Sequence, residues 1–394
     1  KLTQSNLENT VTIETFNSFC EKILKKHTQL IYDKPVRVIN YKDKIIMIKK
    51  ALQKINMNHD QAIDLYFTKS QKNGKTKEQL LNIFRNDCFF IRDYFKFKHK
   101  KIDETSFEYT RTDHKKNLQM MIAVCRYIDA YMKKNGLRDF ADQLIDTLTL
   151  FEKQPQIIPE FDHILIDEYQ DINSTQIKLI DTLKHRNLFC VGDPRQSIYG
   201  WRGSDIKYIL NFEEKHPESE IITLQKNYRS EENLVKLINT SIQHMKLPDL
   251  KPTLKPQKNI HLKKLQTEEQ EYQYITNKIK QTKTPNKEIF VLARTNKQLN
   301  KISEYLKNQK IKHILRSNEI QKTKKTPQKN TVTLATIHAI KGMEAERVFI
   351  VGCNNLNFPC KGSEHPVISM VKIDEYDKEE EERRIFYVAI SRAK

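Results

Sequence analysis

From residue 160 onward the chain is punctuated by short β-rich apolar runs. They are HILIDE (163–168), NLFCVGD (187–193), EIITL (220–224), EIFVLAR (288–294), TVTLAT (331–336) and RVFIVG (347–352). Several are followed by segments with helical periodicity. Short strands alternating with helices read as a parallel sheet with crossover connections. The half before them reads differently. KDKIIMIKKALQKI, KEQLLNIFRNDCFFIRDYF, NLQMMIAVCRYIDAYM and DFADQLIDTLTLFE, between residues 41 and 152, each place apolar residues at three-to-four spacing. Basic patches such as KFKHKK lie between or at the ends of these helices. Ahead of them, VTIET is expected as a short strand running into the amphipathic helix FNSFCEKILKKH.

The chain has 394 residues, room for two or more hydrophobic cores. No stretch approaches the ~18 uninterrupted apolar residues of a membrane span, and KLTQSNLENT has no apolar core of a signal peptide. The six cysteines show no C-x-x-C pairing, so neither a zinc site nor a disulfide framework is indicated; small buried hydrophobes in a reducing cytoplasm are expected. Lys and Arg number 69 against 50 Asp and Glu, and the net charge of +19 suggests a polyanionic partner. An AT-rich genome is the competing source of so many lysines. The Pro- and Lys-rich stretches 248–258 and 321–330 read as loops, and DEYDKEEEERR (374–384) as a helix with a solvated acidic face.

Against that positive background HILIDEYQD stands out, because its apolar run ends in Asp167, Glu168 and Asp171. Carboxylates at the end of a buried strand usually hold a cation. A strand ending in Asp-Glu is the usual shape of a Walker B site, in which the Asp helps to hold Mg²⁺ and the Glu polarises a water for attack on a γ-phosphate. The pair alone is a weak signal, since many α/β proteins carry an Asp at a strand end.

Four segments nearer the C-terminus sharpen it: LFCVGDPRQSIYGWRGSD (188–205), LQKNYRS (224–230), TIHAIKGMEAERVFIVG (336–352) and EEERRIFYVAISRAK (380–394). Together with TIETFNSF (12–19) and RDFADQLI (138–145), these segments resemble the UvrD/Rep-type superfamily 1 DNA helicases, motif by motif and in the family's order. The resemblance implies an α/β fold of two RecA-like parallel-sheet lobes, with a helical subdomain inserted in the first and no large insertion in the second. Residues 1–24 and 138–218 would form the first lobe, 25–137 the inserted helical, basic subdomain, and 219–394 the second lobe.

It also implies roles. Asp167 would hold Mg²⁺ and Glu168 activate the water, with Asp171 at most an indirect contact. Gln196 would sense the γ-phosphate of ATP, Tyr228 stack on adenine, Arg229 and Arg392 act as arginine fingers, and Glu344 touch the nucleotide. Phosphoryl transfer needs charge stabilisation more than covalent chemistry, so arginines on a separate lobe make hydrolysis depend on closure. On the DNA side, Tyr199 and Trp201 would stack on unpaired bases, Arg202 would grip phosphate, and Phe16, Thr336 and His338 would line the strand. Packing is the competing reading for Phe16, Thr336 and Trp201, the chain's one tryptophan, and a structural hydrogen bond for His338. Arg195 and Lys341 rank lower as phosphate contacts.

The sequence departs from the family in three places. No Gly-rich phosphate-binding loop precedes TIETF. The lone G-K-T, at Gly74, Lys75 and Thr76, follows no β-run and reads as a surface loop. Both ends look trimmed, so a fragment of a longer protein with weakened β/γ-phosphate binding is expected. Only residues 317–330 occupy the place where many relatives insert a helical subdomain in the second lobe, which puts strand separation, though not translocation, in doubt. Asn17 and Ala345 replace a usual His and an aromatic, which points to altered DNA contact. The expected activity is therefore a cytoplasmic ATP-dependent motor moving 3′ to 5′ on single-stranded DNA, at single/double-strand junctions, in DNA repair or replication. The rivals are a DNA-binding module without ATPase activity, and the motor subunit of a helicase–nuclease complex with a separate nuclease or repair partner.

Overall fold

Helix signals in the first half are local and strong. In the computed structural model, which describes residues 11–97, 114–256, 260–317, 330–360 and 377–394, they become α1 (Phe16–Lys26), α2 (Tyr41–Lys54), α3 (His59–Tyr66), α4 (Lys77–Phe97), α5 (Lys115–Lys134) and α6 (Phe140–Lys153). Reciprocal side-chain caps start α2 at Asn40, α3 at Asn58 and α6 at Asp139, each satisfying backbone N–H groups that the first turn leaves free. Met47, Leu52, Phe84, Cys88, Phe95, Met121 and Ile128 are among the side chains that close the core of α2–α5. The Gly74-Lys75-Thr76 segment is a turn ahead of α4, with Thr76 Oγ1 accepting from Gln79 N, and no strand leads into it.

After α6 the chain forms β1 (Glu160–Ile166), α7 (Ser174–Thr182) and β2 (Lys184–Cys190), with β1 and β2 paired in parallel. Helices α1, α6 and α7 share a small cluster of Cys20, Leu144, Leu148, Phe151 and Leu179, and Phe161 of β1 meets Phe19 of α1 with ring centroids 6.2 Å apart. These elements belong to a first compact unit, which takes the described residues up to Gly192 together with Trp201–Asp205. A buried ionic cluster knits its helices: Arg92 of α4 pairs with Asp129 and Asp139 and lies 3.3 Å from Asp142.

The second unit takes Asp193–Gly200 and the remaining described residues. It contains β3 (Lys226–Glu231), α8 (Glu232–Ile242), β4 (Lys251–Leu254), α9 (Glu268–Gln281), β5 (Ile289–Ala293), α10 (Asn296–Asn308), β6 (His313–Arg316), β7 (Val332–Thr336), β8 (Arg347–Ile350) and α11 (Lys378–Ile390). Its main sheet is parallel throughout, in the order β8-β5-β7-β6. Alternation along β5 explains its continuous apolar run. Ile289, Val291 and Ala293 meet α9 and α10, while Phe290 and Leu292 meet the core shared by α8 and α11. The α/β class and parallel sheets are as expected.

Four local expectations fail, the first in the acidic run, where Glu381 and Glu382 are buried instead of solvated. VTIET and EIITL carry no assigned strand, because β-branched residues make a strand only where a neighbour accepts the ladder. Lys251–Leu254, within the stretch read as a loop, pairs with β3 despite its proline. Cys20, Cys88, Cys125 and Cys360 are buried as expected, but Cys190 is half-buried and Cys353 exposed; all six are free thiols. Most of the 317–330 segment and of 321–330 lies outside the described residues, as does part of KFKHKK.

Candidate functional site

In the first unit the acids sit where the β1 ladder runs out. Val191 N donates to Ile166 O (2.8 Å) and Tyr169 N to Val191 O (2.9 Å), so backbone bonds continue past the strand and fix the turn. Asp167 is exposed, and its Oδ1 accepts from Glu168 N at 2.8 Å. Glu168 adopts φ 53° and ψ 41°, the left-handed region that costs a non-glycine residue about 1–3 kcal/mol. Its Oε2 accepts from the buried amide of Gln170 at 2.5 Å. The carboxylate is thus aimed by a strained backbone and held by a buried donor.

Among the described residues no three His, Cys, Asp or Glu side chains converge into a metal cage. One exposed aspartate nevertheless fits Mg²⁺, which keeps several waters and takes one or two carboxylates alongside phosphate oxygens. Asp171 contributes its backbone carbonyl to Ser204 Oγ at 2.6 Å.

The same unit holds Trp201, half-buried, with the Phe90 ring 6.0 Å away and the Arg202 guanidinium 4.5 Å from its centroid. Phe16 is partly buried against the cluster around Cys20. Asn17 donates to Phe140 O (2.7 Å) and Gln143 Oε1 (3.0 Å), so it ties α1 to α6. Phe140 itself, at the first position of α6, leaves its ring 65% exposed.

In the second unit Gln196 is held on three sides. Its Nε2 donates to Asp193 Oδ2 (3.1 Å), its Oε1 accepts from Arg392 Nη2 (3.4 Å), and its carbonyl accepts from Lys341 Nζ (3.0 Å). Asp193 Oδ2 also accepts from the Tyr387 hydroxyl at 3.1 Å. Burial and the adjacent Asp193 raise the Tyr387 hydroxyl well above the ordinary phenol range. Arg392 is 2% exposed and donates to Val388 O, Met343 O and Ser391 Oγ besides Gln196. Arg195 reaches Pro248 O at 2.5 Å.

Arg229 and Glu344, assigned separate roles from sequence, are bonded to each other. Arg229 Nε donates to Glu344 Oε2 at 2.6 Å and Nη1 to Ser391 O at 3.2 Å, while Lys394 Nζ lies 3.6 Å from Glu344 Oε1. Burial works against ionisation of Glu344, but the Arg229 hydrogen bond and the two cations outweigh it and hold the carboxyl below its usual range. Tyr228 leaves its ring 71% exposed, as a stacking face would be.

Tyr199 donates to His338 O (3.1 Å), its ring lies 5.9 Å from the imidazole, and Lys341 Nζ stands 5.6 Å from its centroid. Thr336 is buried at the end of β7. Ala345 is fully buried, its backbone paired with Arg392 and Lys394, so its methyl faces packing.

The geometry therefore gathers Gln196, Arg392 and Lys341 in one place, Arg229 and Glu344 in a second, and Tyr199 with His338 in a third. Asp193 and Tyr387, which position Gln196, went unread in the sequence. The one available signal was an Asp three residues past the end of β2.

Comparison with known proteins decides the family. The profile of the UvrD/REP helicase N-terminal domain matches residues 1–217, and that of the UvrD-like helicase C-terminal domain matches 222–321 and 308–394. The chain belongs to the UvrD/REP helicase family. It is 30% identical over 307 residues to the "ATP-dependent DNA helicase PcrA" of Staphylococcus epidermidis, covering 75% of this chain and 39% of that protein. The protein of the same name from Leuconostoc citreum is 28% identical over 319 residues, covering 77% and 39%. The chain thus spans about 39% of the length of these UvrD/REP relatives. Among its described residues no helix is long and apolar enough to cross a membrane.

Proposed function

We propose that this chain is the motor portion of an ATP-dependent DNA helicase or translocase that moves 3′ to 5′ on single-stranded DNA. The observation that carries it is the left-handed Glu168 beside the exposed Asp167 at the end of β1, in a UvrD/REP-family chain. Strain held by a buried amide aims a carboxylate, which is what water activation requires. Domain limits follow the family reading: residues 1–24 and 138–218 in one lobe, 25–137 as the helical insertion, 219–394 in the other.

In this reading Asp167 holds Mg²⁺ through its carboxylate, and Glu168 accepts the proton of the attacking water. Bound Mg²⁺ neutralises charge that grows on the phosphate oxygens. Gln196 stands between Asp193 and Arg392 as the group that registers the γ-phosphate. Arg229 leaves Glu344, or shares it, to stabilise the transferring phosphoryl group, and Tyr228 supplies the adenine-stacking face. Trp201 and Arg202 of the first unit and Tyr199 of the second hold single-stranded DNA in this reading, with Phe16, Thr336 and His338 as further contacts. The net charge of +19 draws such a partner and makes its binding salt-dependent.

The test is ATP hydrolysis by the natural-length gene product, with and without a dT oligonucleotide, beside Glu168→Gln. Strong stimulation by DNA, abolished in the variant with ATP binding retained, supports the motor. DNA binding with no turnover in the unaltered protein replaces the motor with a module that binds DNA and does not hydrolyse ATP.

A further inference from the structure

One face of α4 carries Phe90, Tyr94 and Phe97, spaced so that all three project toward the same side. Phe90 and Tyr94 stack with centroids 6.5 Å apart and planes 22° apart, and Trp201 extends the column at 6.0 Å and 27°. Tyr94 is buried in the helical core and meets Phe95 edge-on at 5.5 Å, so the inner end of the column is fixed. The helix grips the same loop a second time. Phe97 O accepts from Ser174 Oγ at 2.7 Å, and the Phe97 ring would lie 3.8 Å from a Cβ at Gly203, whose φ of +91° suits glycine.

Trp201 lies on a short 3-10 turn, Gly200–Arg202. Here its indole plane is set from behind by a helix whose own position is fixed by a packed core. A ring held this way loses less freedom when a base stacks on it than a ring that must first be ordered.

We propose that Phe90 is a positioning residue for single-strand binding, holding the Trp201 indole in its base-stacking orientation. The proposal rests on the reading of Trp201 as a base-stacking residue. It gives the inserted helical bundle a function on the DNA side that needs no contact of its own with the strand.

Trp201 is the sole tryptophan of the 394-residue chain, so its fluorescence reports this ring alone. The experiment measures tryptophan emission, its anisotropy and the affinity for a dT oligonucleotide in the unaltered chain, Phe90→Ala, Phe90→Leu and Phe90→Tyr. Affinity alone is measured for Trp201→Ala. Expected for Phe90→Ala and Phe90→Leu are lower anisotropy, altered emission and dT binding weakened roughly three- to tenfold, as loss of one aromatic pair implies. Phe90→Tyr restores both readouts.

If Phe90→Leu frees the indole yet leaves dT affinity unchanged while Trp201→Ala weakens it, the positioning role is overturned and base stacking by Trp201 stands. Tighter binding in Phe90→Leu also overturns it, by showing that Phe90 competes with the base. Unchanged affinity in Trp201→Ala removes the stacking reading itself, and the positioning role with it. A merely structural Phe90 would lower thermal stability and leave the dT affinity of the folded chain unmoved.

Discussion

The four-stranded sheet of the second unit and the β1–β2 pair of the first are built from runs that look alike in sequence and are covered quite differently. In the second unit every residue of β5 and β7 is buried, with helices on both faces. In the first unit one face of β1 and β2 buries Ile166 and half-buries Ile164, Leu188 and Cys190, while on the other Leu165 is 71% exposed and Phe189 56%. The polar groups proposed for function differ in the same sense. Arg392 and Gln196 lie within the hydrogen-bond network of a packed unit, whereas Asp167 and Glu168 stand exposed and depend on backbone bonds and one buried amide. Packing from behind can hold a polar side chain in place, and so can a strained turn; this protein uses one in each unit.

The same chemical change made in both sheets is the strongest way to break that comparison. Leu334→Ala removes a fully buried side chain between two helix layers and should cost about 2–5 kcal/mol. Leu165→Ala removes one that is mostly in water, and should stay within about 0.5 kcal/mol. Urea unfolding followed by far-UV circular dichroism measures both. Equal losses would mean that the open face of β1 is covered in solution.

Arg392 separates support from chemistry. Its guanidinium satisfies Val388 O and Met343 O, and Arg392→Ala leaves these carbonyls to find other donors, at about 1–3 kcal/mol. Arg392→Lys keeps the charge but not the planar fork, so it should recover part of the stability. Under the finger reading both variants lose ATP turnover in the natural-length protein. A lysine variant with near-full turnover would make Arg392 a structural strut and leave Arg229 as the finger.

How much of this was legible depends on how local each signal is. Helix α4 was readable because its apolar spacing repeats over 21 residues. Strands β5 and β7 were readable because both faces are covered and the run is continuously apolar. EIITL misled because β-branched side chains state a preference that only a neighbouring strand can satisfy, and KPTL was missed because its proline hides a strand that β3 accepts. The acids proposed for the site, Asp167 and Glu168, could be named from a strand ending in Asp-Glu. The partners could not: Arg229 meets Glu344 across 115 residues, and Phe90 lies 111 residues before Trp201. Such pairs are set by tertiary packing, and no spacing in one sequence announces them.

The smallest effect tests whether the Arg229–Glu344 pair belongs to the packed unit's scaffold at all. The Glu344 carboxyl is held below its usual range in the folded chain, so folding releases its proton and the pair's stability is present above the unfolded value of ~4.3. That contribution fades as pH falls through the folded value. Glu344→Gln should therefore be less stable than the unaltered chain at neutral pH and equal to it in acid. The margin should also shrink with added salt, because the side chain is half-exposed and screened. Urea midpoints across the acid range, at low and high salt, give the comparison. A difference that persists in acid would trace the effect to lost packing. No difference at any pH would mean that Arg229 is held by Ser391 O alone, and is correspondingly easier to turn toward a phosphate.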